Sequence, residues 1–358
     1  MPRLTEHRPG FYPQPNDWTC GPFALKHALA ALGKLVDARE IKDIARSHWW
    51  SGTDEIQLAR AARAFDCDLV LERRRDPEAA RKMLMRFLRE QTPVLLCVDE
   101  WTHWITVVRF EDSRFVIIDS EDDPVLNVVT WAQLRTRWRY HDTDYDKNDP
   151  PVIYDLLAVV PRTRTTVKAD FHVERVKFLR RPENHGLALH WDEYVEDLLE
   201  ICRAPSARIS DPLSMGEFLR RHQELLVSRI VYWHGDIERE AIIRILRNFR
   251  FVAETYDLVI PRSATRRAVA DLAILVTMWV VASRGLDEMY GLGKTAEAAP
   301  RAAKAKGSRA PKNGARNAAR HNGAAITPAA AARIRARLRS RRARARRPGR
   351  SGPARRAR

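Results

Sequence analysis

The chain has 358 residues and a formal net charge of +17 at pH 7, with 45% hydrophobic and 30% charged residues. This length suggests two domains, and the hydrophobic fraction is enough for sizeable cores. The four cysteines form no CxxC pair, so we expect no disulfide framework, no metal and no cofactor. The longest apolar run, 272–282, is far shorter than the roughly 20 residues of a spanning helix. We therefore expect a cytoplasmic chain without membrane insertion.

The positive charge is concentrated at the C-terminal end. From Lys294 onward, 21 of the 63 basic residues stand against a single acid, Glu297, so the rest of the chain is nearly neutral. Residues 292–358 hold few large apolar side chains, and such a segment is expected to be a disordered basic tail. Two interpretations of the tail stay open: salt-sensitive binding to nucleic acid through phosphates, and a solvated low-complexity segment.

Residues 1–161 predict helices followed by an antiparallel sheet. Apolar periodicity and capping residues predict helices over 20–33, 37–47, 53–65 and 76–90, with a short strand at 68–72. β-rich runs then predict strands at 93–98, 104–108, 114–118 and 152–160. A short polar turn over 111–113 predicts a hairpin between two of these strands. This order of elements is typical of the α+β class.

Residues 162–291 predict an all-α domain that follows a polar linker over 162–168. Apolar positions that recur at three and four predict bundle helices over 192–202, 214–233, 236–251 and 262–284. No motif indicates the role of these helices or the oligomeric state. The sequence thus predicts three parts, which are residues 1–161, 162–291 and 292–358.

A cysteine stands at the first turn of the first long predicted helix, within the stretch Gln14-Pro15-Asn16-Asp17-Trp18-Thr19-Cys20-Gly21-Pro22. The unpaired N–H groups and the dipole of a helix N-terminus favour thiolate over thiol. Thr19 is expected to cap the helix through its hydroxyl. The amide of Gln14 can reach back and, with the Cys20 backbone N–H, donate to a developing oxyanion. The pattern therefore predicts a nucleophilic Cys20.

A nucleophilic cysteine needs a base and a group that orients the base. His103 opens one predicted strand and Asp119 follows the next, so a hairpin would bring the two side chains together. His103 can then contact Cys20 on one side and Asp119 on the other. Asp122 or Asp123 could supply the carboxylate instead. A structural alternative also stays open, in which Cys20 is a small buried hydrophobe.

The order of these residues resembles the papain-like cysteine peptidases that process bacteriocin and double-glycine leader peptides. The resemblance extends to stand-alone relatives of these enzymes. It covers roughly residues 10–160 and implies a papain-like fold there. It implies Cys20 as nucleophile, His103 as general base and then acid, and Asp119 as the residue that orients the imidazole. It also implies Gln14 in the oxyanion hole. Members of that family typically carry Asp immediately before the cysteine, where this chain has Thr19.

The expected function is a cysteine hydrolase that cleaves a peptide or amide bond through an acyl-enzyme, with a peptide or protein as substrate. Two alternatives stay open. One is an acyltransferase that uses the same cysteine. The other is a non-catalytic peptide-binding adaptor whose basic tail binds nucleic acid. Trp101 and Trp104 flank His103, and one of them is expected to wall the cleft and exclude water.

Overall fold

The structure is a computed structural model that describes residues 10–163, 167–204, 209–235 and 237–289. All of these residues belong to one compact unit. Among them, no helix has the length and apolar character needed to cross a membrane. The basic tail predicted over 292–358 lies outside the described residues.

An antiparallel sheet forms the centre of the first part. Its strands are β1 (Cys67–Arg74), β2 (Val94–Val98), β3 (His103–Glu111), β4 (Arg114–Ile118), β5 (Leu126–Thr130), β6 (Tyr140–His141) and β7 (Val152–Pro161). Their order across the sheet is β1-β7-β2-β3-β4-β5, and β6 pairs with β7. Every pairing is antiparallel. The predicted α+β class is confirmed, and the predicted hairpin is formed by β3 and β4.

Helices cover both faces of this sheet. They are α1 (Cys20–Ala31), α2 (Ala38–Ala45), α3 (Glu55–Ala64), α4 (Pro77–Arg89) and α5 (Trp131–Trp138). Side chains alternate along β2, so Leu95 packs with α1 to α3, while Val94 and Leu96 pack with α4 and α5. The nearly continuous apolar run of β2 follows from this, because a strand covered on both faces has no solvent side.

The remaining described residues form six more helices and a two-stranded ribbon. The helices are α6 (Val173–Leu179), α7 (His185–Leu189), α8 (Trp191–Ile201), α9 (Met215–Trp233), α10 (Arg239–Thr255) and α11 (Thr265–Met289), and the ribbon pairs β8 (Pro212–Ser214) with β9 (Val259–Pro261). We call residues 171–282 the helical segment. The ribbon, together with α6 and α7, was not predicted.

The helical segment and the first part share one hydrophobic core. Buried Trp191, Tyr256 and Phe249 belong to the same cluster as Phe11 and Val116. The cluster therefore runs from the helices to Phe11, to Ala31 at the C-terminal end of α1 and to β4. The division at residue 161 into two domains stays a prediction, but the two parts are packed together without a gap in apolar contact.

The segment after β4 also differs from the prediction, which left residues 119–151 without elements. Thr130 caps α5, where its hydroxyl accepts from the Gln133 N–H and the Gln133 side chain returns to the Thr130 N–H. This reciprocal capping box was a readable signal for the start of α5. The helix matters because it carries a residue of the candidate site.

Candidate active site

Cys20 is the first residue of α1 and its side chain is buried. Thr19 precedes it with φ −96° and ψ 8°, outside the extended conformation of most side-chain caps. The Thr19 hydroxyl instead donates to the Asn16 carbonyl at 3.4 Å and makes no cap. The predicted hydroxyl cap is therefore wrong. As a result, the N–H groups in the first turn of α1, beside the sulfur, are not hydrogen-bonded to the Thr19 side chain.

Gly21 allows a loop to lie directly on this first turn. A Cβ added at Gly21 would lie 2.8 Å from the Thr53 Cβ, so a larger residue would push the loop away. The indole of Trp104 holds the same loop, because its Nε1 donates to the Thr53 carbonyl at 2.9 Å. Trp101 stacks on Tyr140, with ring centroids 3.7 Å apart. The two tryptophans that flank His103 thus contact other segments of the chain, Trp104 at Thr53 and Trp101 at Tyr140. The role of one of them as a wall of the cleft stays a prediction.

His103 and Asp119 meet as the hairpin argument predicts. His103 is the first residue of β3 and pairs with Val98. Asp119 directly follows Ile118, the last residue of β4, and Ile118 pairs with Thr106 of β3. The His103 Nε2 lies 2.6 Å from the Asp119 Oδ1, and both side chains are buried, 3% and 1% exposed. The imidazole therefore contacts Asp119 rather than the two alternative carboxylates, and Asp122 accepts from the Asn127 amide instead.

The sulfur of Cys20 lies close enough to the imidazole to affect its pKa. Burial alone would lower the pKa of His103, but the hydrogen bond with Asp119 and the nearby Cys20 sulfur outweigh it and raise that pKa to about 10. His103 is therefore an imidazolium at neutral pH. Nε2 is bound to Asp119, and Nδ1, which makes no hydrogen bond within the described residues, is the ring nitrogen left for the sulfur. The structure thus places Cys20 and Asp119 near the same imidazole, while the catalytic roles of the three residues stay predictions.

Asp119 is held as a carboxylate from several sides. Its Oδ1 also accepts from the Glu121 N–H at 3.1 Å, and its Oδ2 accepts from the Arg137 Nη1 at 2.8 Å. Burial would raise the pKa of Asp119, but the hydrogen bonds from His103 and Arg137 lower it to about 2. Asp119 therefore stays ionised and can keep the imidazole protonated and oriented.

Sequence reasoning missed Arg137, which lies on α5. Besides Asp119 it binds Asp99, with Nη2 at 2.8 Å from the Asp99 Oδ2. The Asp99 N–H in turn donates to the Arg137 carbonyl at 2.7 Å. One arginine therefore joins the turn before His103 to the carboxylate behind His103. No sequence signal pointed to it, because its partners lie 18 and 38 residues away.

The turn before His103 has an uncommon backbone. Asp99, Glu100 and Trp101 have φ values of 53°, 57° and 60°, in the left-handed region that costs energy for residues other than glycine. Contacts with the segment after α5 compensate, since the Glu100 carboxylate accepts from the His141 backbone N–H and lies 2.7 Å from the His141 Nδ1. This braced turn sets the direction in which His103 enters β3.

Gln14 lies beside the loop that carries Asp119. Its N–H donates to the Ser120 carbonyl at 2.7 Å, and its Oε1 accepts from the Ser120 hydroxyl, also at 2.7 Å. Because the amide oxygen is bound to Ser120, the Nε2 group is the end that can serve as a donor. This matches the predicted oxyanion role of Gln14, which stays a prediction.

Glu121 is a further carboxylate near the imidazole. Its Oε1 lies 3.3 Å from the His103 Nδ1, and its side chain is half exposed. The imidazolium therefore has negative groups near both ring nitrogens. Only the one at Asp119 is buried, so only that interaction is well shielded from solvent.

Burial dominates the surroundings of two other cysteines, Cys67 and Cys202. Burial raises the pKa of Cys67, and it raises the pKa of Cys202 to about 12, so both stay protonated thiols at neutral pH. Both are free and buried. Cys67 is therefore a natural internal control for Cys20.

Comparisons with known proteins give fold likeness only. No protein-family model and no curated relative matches the chain. The peptidase domain of Streptococcus ComA, a bifunctional ABC transporter, is 13% identical and matches 42% of this chain and 98% of that one, with a TM-score of 0.30. A double-glycine-motif protease from an AMS/PCAT transporter, in complex with the leader peptide, is 16% identical over 44% of this chain and 96% of that one, with a TM-score of 0.32.

A C39-like peptidase from Bacillus anthracis is 12% identical over 43% of this chain and 95% of that one, with a TM-score of 0.31. The family named from the sequence motif thus recurs among the structural neighbours. These identities and scores are low, so the chemistry of this chain is argued from its own side chains.

Proposed function

We propose that this chain is a cysteine hydrolase that cleaves a peptide or amide bond through an acyl-enzyme. The observation that supports it is the buried His103–Asp119 hydrogen bond with Cys20 close to the same imidazole, where these two neighbours raise the pKa of His103. A helix N-terminus and an imidazolium both favour negative charge on the sulfur. A structural cysteine in a core needs neither.

In the first step the Cys20 thiolate attacks the carbonyl carbon of the substrate, and the C=O electron pair moves to oxygen. The Cys20 backbone N–H and the Gln14 amide donate to that oxyanion. When the tetrahedral intermediate collapses, the C–N bond breaks and the His103 imidazolium gives its proton to the leaving amine. The product is a thioester on Cys20 with a neutral imidazole beside it.

In the second step water releases the acyl group. The neutral His103 takes a proton from the water as its oxygen attacks the thioester carbon. The C–S bond then breaks, which returns the thiolate and the imidazolium and liberates a carboxylic acid. Asp119 stays ionised throughout and holds the ring orientation, as Arg137 holds Asp119.

Selective alkylation tests the proposal without a known substrate. Iodoacetamide is added to the native protein at pH 7, and the modification of each cysteine is followed by peptide mass spectrometry. We expect Cys20 to react at least about tenfold faster than Cys67, because only Cys20 faces an imidazolium. His103→Ala is expected to remove that difference. Equal rates at Cys20 and Cys67, or a rate that His103→Ala leaves unchanged, contradict the proposal.

Hydrolysis is tested with p-nitrophenyl acetate, an activated ester. A burst of nitrophenolate equal to the enzyme concentration is expected from acylation of Cys20. The burst should vanish in Cys20→Ala and persist in the matched variant Cys202→Ala. A burst that survives Cys20→Ala contradicts the assignment.

A further inference from the structure

A buried lysine connects the helix of Cys20 to the helical segment. Lys26 lies in α1 and its side chain is 2% exposed. Its Nζ is 2.9 Å from the Asp192 Oδ2 in the first turn of α8 and 2.6 Å from the Gly10 carbonyl oxygen. A buried charge is costly unless it is paired and hydrogen-bonded. The position of the Gly10 carbonyl is therefore tied to this ion pair.

The chain at Gly10 is also fitted to α7. Gly10 has φ +92°, and a Cβ there would lie 2.4 Å from the Leu189 carbonyl oxygen. The Phe11 N–H donates to the Ala188 carbonyl at 2.9 Å. A glycine with positive φ lets the backbone approach this closely, which no other residue does without strain. The helical segment thus contacts residues 10–14 at their N-terminal end, at Gly10 and Phe11.

The Phe11 side chain adds an aromatic contact at the same end. Its ring centroid lies 5.6 Å from those of Trp191, Phe171 and His27. Trp191 precedes Asp192 in α8, so the ion pair and the aromatic cluster belong to one junction. Phe11 is therefore held between the helical segment and α1.

The other end of the same stretch carries Gln14. Its backbone and side chain are both bound to Ser120, which follows Asp119. Only three residues separate Gln14 from the carbonyl that Lys26 binds. Residues 10–14 therefore run as a short strap from the helical segment to the loop of Asp119, and a shift at one end is passed to the other.

We propose that the Lys26–Asp192 ion pair is a positioning device through which the helical segment sets the Gln14 amide in the candidate oxyanion site. This inference rests on the proposed function, because it assigns to Gln14 the role of oxyanion donor. Buried ion pairs add little net stability compared with apolar residues of similar volume. Their directional hydrogen bonds do fix geometry, and here those bonds end on the strap that carries Gln14.

The experiment uses the full chain with the double variant Lys26→Met/Asp192→Leu. Replacing both partners by apolar residues avoids a buried unpaired charge, so the variant is expected to fold. Acylation by p-nitrophenyl acetate needs an oxyanion site, whereas alkylation by iodoacetamide does not. We expect acylation to slow at least about tenfold, given that removal of one oxyanion donor costs about 100-fold. Alkylation of Cys20 should stay within about twofold of the unmodified chain.

A double-mutant cycle makes the test specific to Gln14. Gln14→Ala should slow acylation about 100-fold in the unmodified chain and at most about tenfold in the double variant. Asp197→Asn is the matched control, since Asp197 also lies in α8 but accepts from the Trp279 indole. This control should leave both rates unchanged. Equal losses for Gln14→Ala in both backgrounds, or a joint fall of acylation and alkylation, overturn the inference.

Hydrogen exchange distinguishes this inference from the proposed function. The Gln14 N–H bonded to Ser120 should exchange faster in the double variant, while peptides from β2 to β4 keep their protection. Unchanged exchange at Gln14 overturns the inference whether or not the chain hydrolyses anything. An absent burst in the unmodified chain, together with faster exchange, would instead contradict the proposed function alone.

Discussion

At the scale of the residue, the imidazole of His103 shows how hydrogen bonds reverse the effect of burial. Burial disfavours an imidazolium, yet contacts with Asp119 and Cys20 raise the pKa of His103 to about 10. The same contact lowers the pKa of Asp119 to about 2. The proton on His103 and the negative charge on Asp119 are therefore in place before a substrate binds, as a preorganised site requires.

The raised pKa of His103 predicts a pH dependence of stability. The pKa is about 6.5 in an unfolded chain and about 10 in the folded one, so the folded state holds the proton more tightly. This contribution is fully present below pH 6.5 and is lost as the pH rises to 10. The free energy of unfolding of the wild type minus that of His103→Gln should therefore fall between pH 6 and pH 10 in urea titrations. A difference that is constant or rises over this range contradicts the assignment.

At the scale of the element, α5 acts as a brace for the site. Arg137 joins Asp119 to Asp99, and the segment after the helix supports the left-handed turn through Glu100 and His141. The helix therefore places the Arg137 guanidinium next to the Asp119 carboxylate. The same guanidinium and His141 stabilise the turn that precedes His103. Neither function requires contact with a substrate.

Arg137→Leu should destabilise the fold through Asp119. The buried carboxylate would lose one partner, and a lost hydrogen bond to a charged group costs about 2 kcal/mol. The pKa of Asp119 is low in the folded state, so its contribution is present above pH 3.8 and is lost as the pH falls toward 2. Arg137→Leu should therefore lower the free energy of unfolding at pH 7 and move the acid-unfolding midpoint to higher pH.

Urea and acid titrations followed by circular dichroism measure both effects of Arg137→Leu. Arg135→Leu, at an exposed position of the same helix, is the control and should leave both quantities close to the wild type. If the two variants behave alike, Arg137 has no special role behind Asp119.

At the scale of the whole molecule, the helical segment is joined to α1 by buried polar contacts within the shared core. The Tyr256 hydroxyl donates to the Ala30 carbonyl at 2.8 Å and accepts from the Trp191 indole at 3.1 Å. The Tyr256–Ala30 and Lys26–Asp192 contacts join residues that are 226 and 166 positions apart. We expect the described residues to unfold as one cooperative unit.

Tyr256→Phe tests this expectation. It removes one hydroxyl and leaves a buried carbonyl and a buried indole N–H without that partner, which is expected to cost about 2 kcal/mol. Urea unfolding should show one transition, with tryptophan fluorescence and circular dichroism in coincidence, shifted to lower urea. Tyr232→Phe, at a residue 81% exposed, should leave the midpoint unchanged. Two separate transitions would show that the helical segment unfolds independently.

Local patterns in the sequence were sufficient for most helices and strands of the first part. Apolar periodicity, capping residues and β-rich runs act within a few residues, so α1 to α4 and the β3–β4 hairpin follow from them. The prediction failed where a local signal was passed over, as at the Thr130 cap of α5. It also failed at Thr19, whose backbone conformation depends on the turn before it.

The sequence by itself determined the types and order of the candidate residues Gln14, Cys20, His103 and Asp119, because the proposed chemistry requires those side chains. The strand pattern also places His103 and Asp119 at the same end of the β3–β4 hairpin. Only the tertiary structure decided that Arg137 lies behind Asp119 and that Lys26 binds Asp192. These partners are separated by 18 and 166 residues, and a contact over such a distance depends on how whole elements pack. Burial then sets their strength, since an ion pair away from water is little screened.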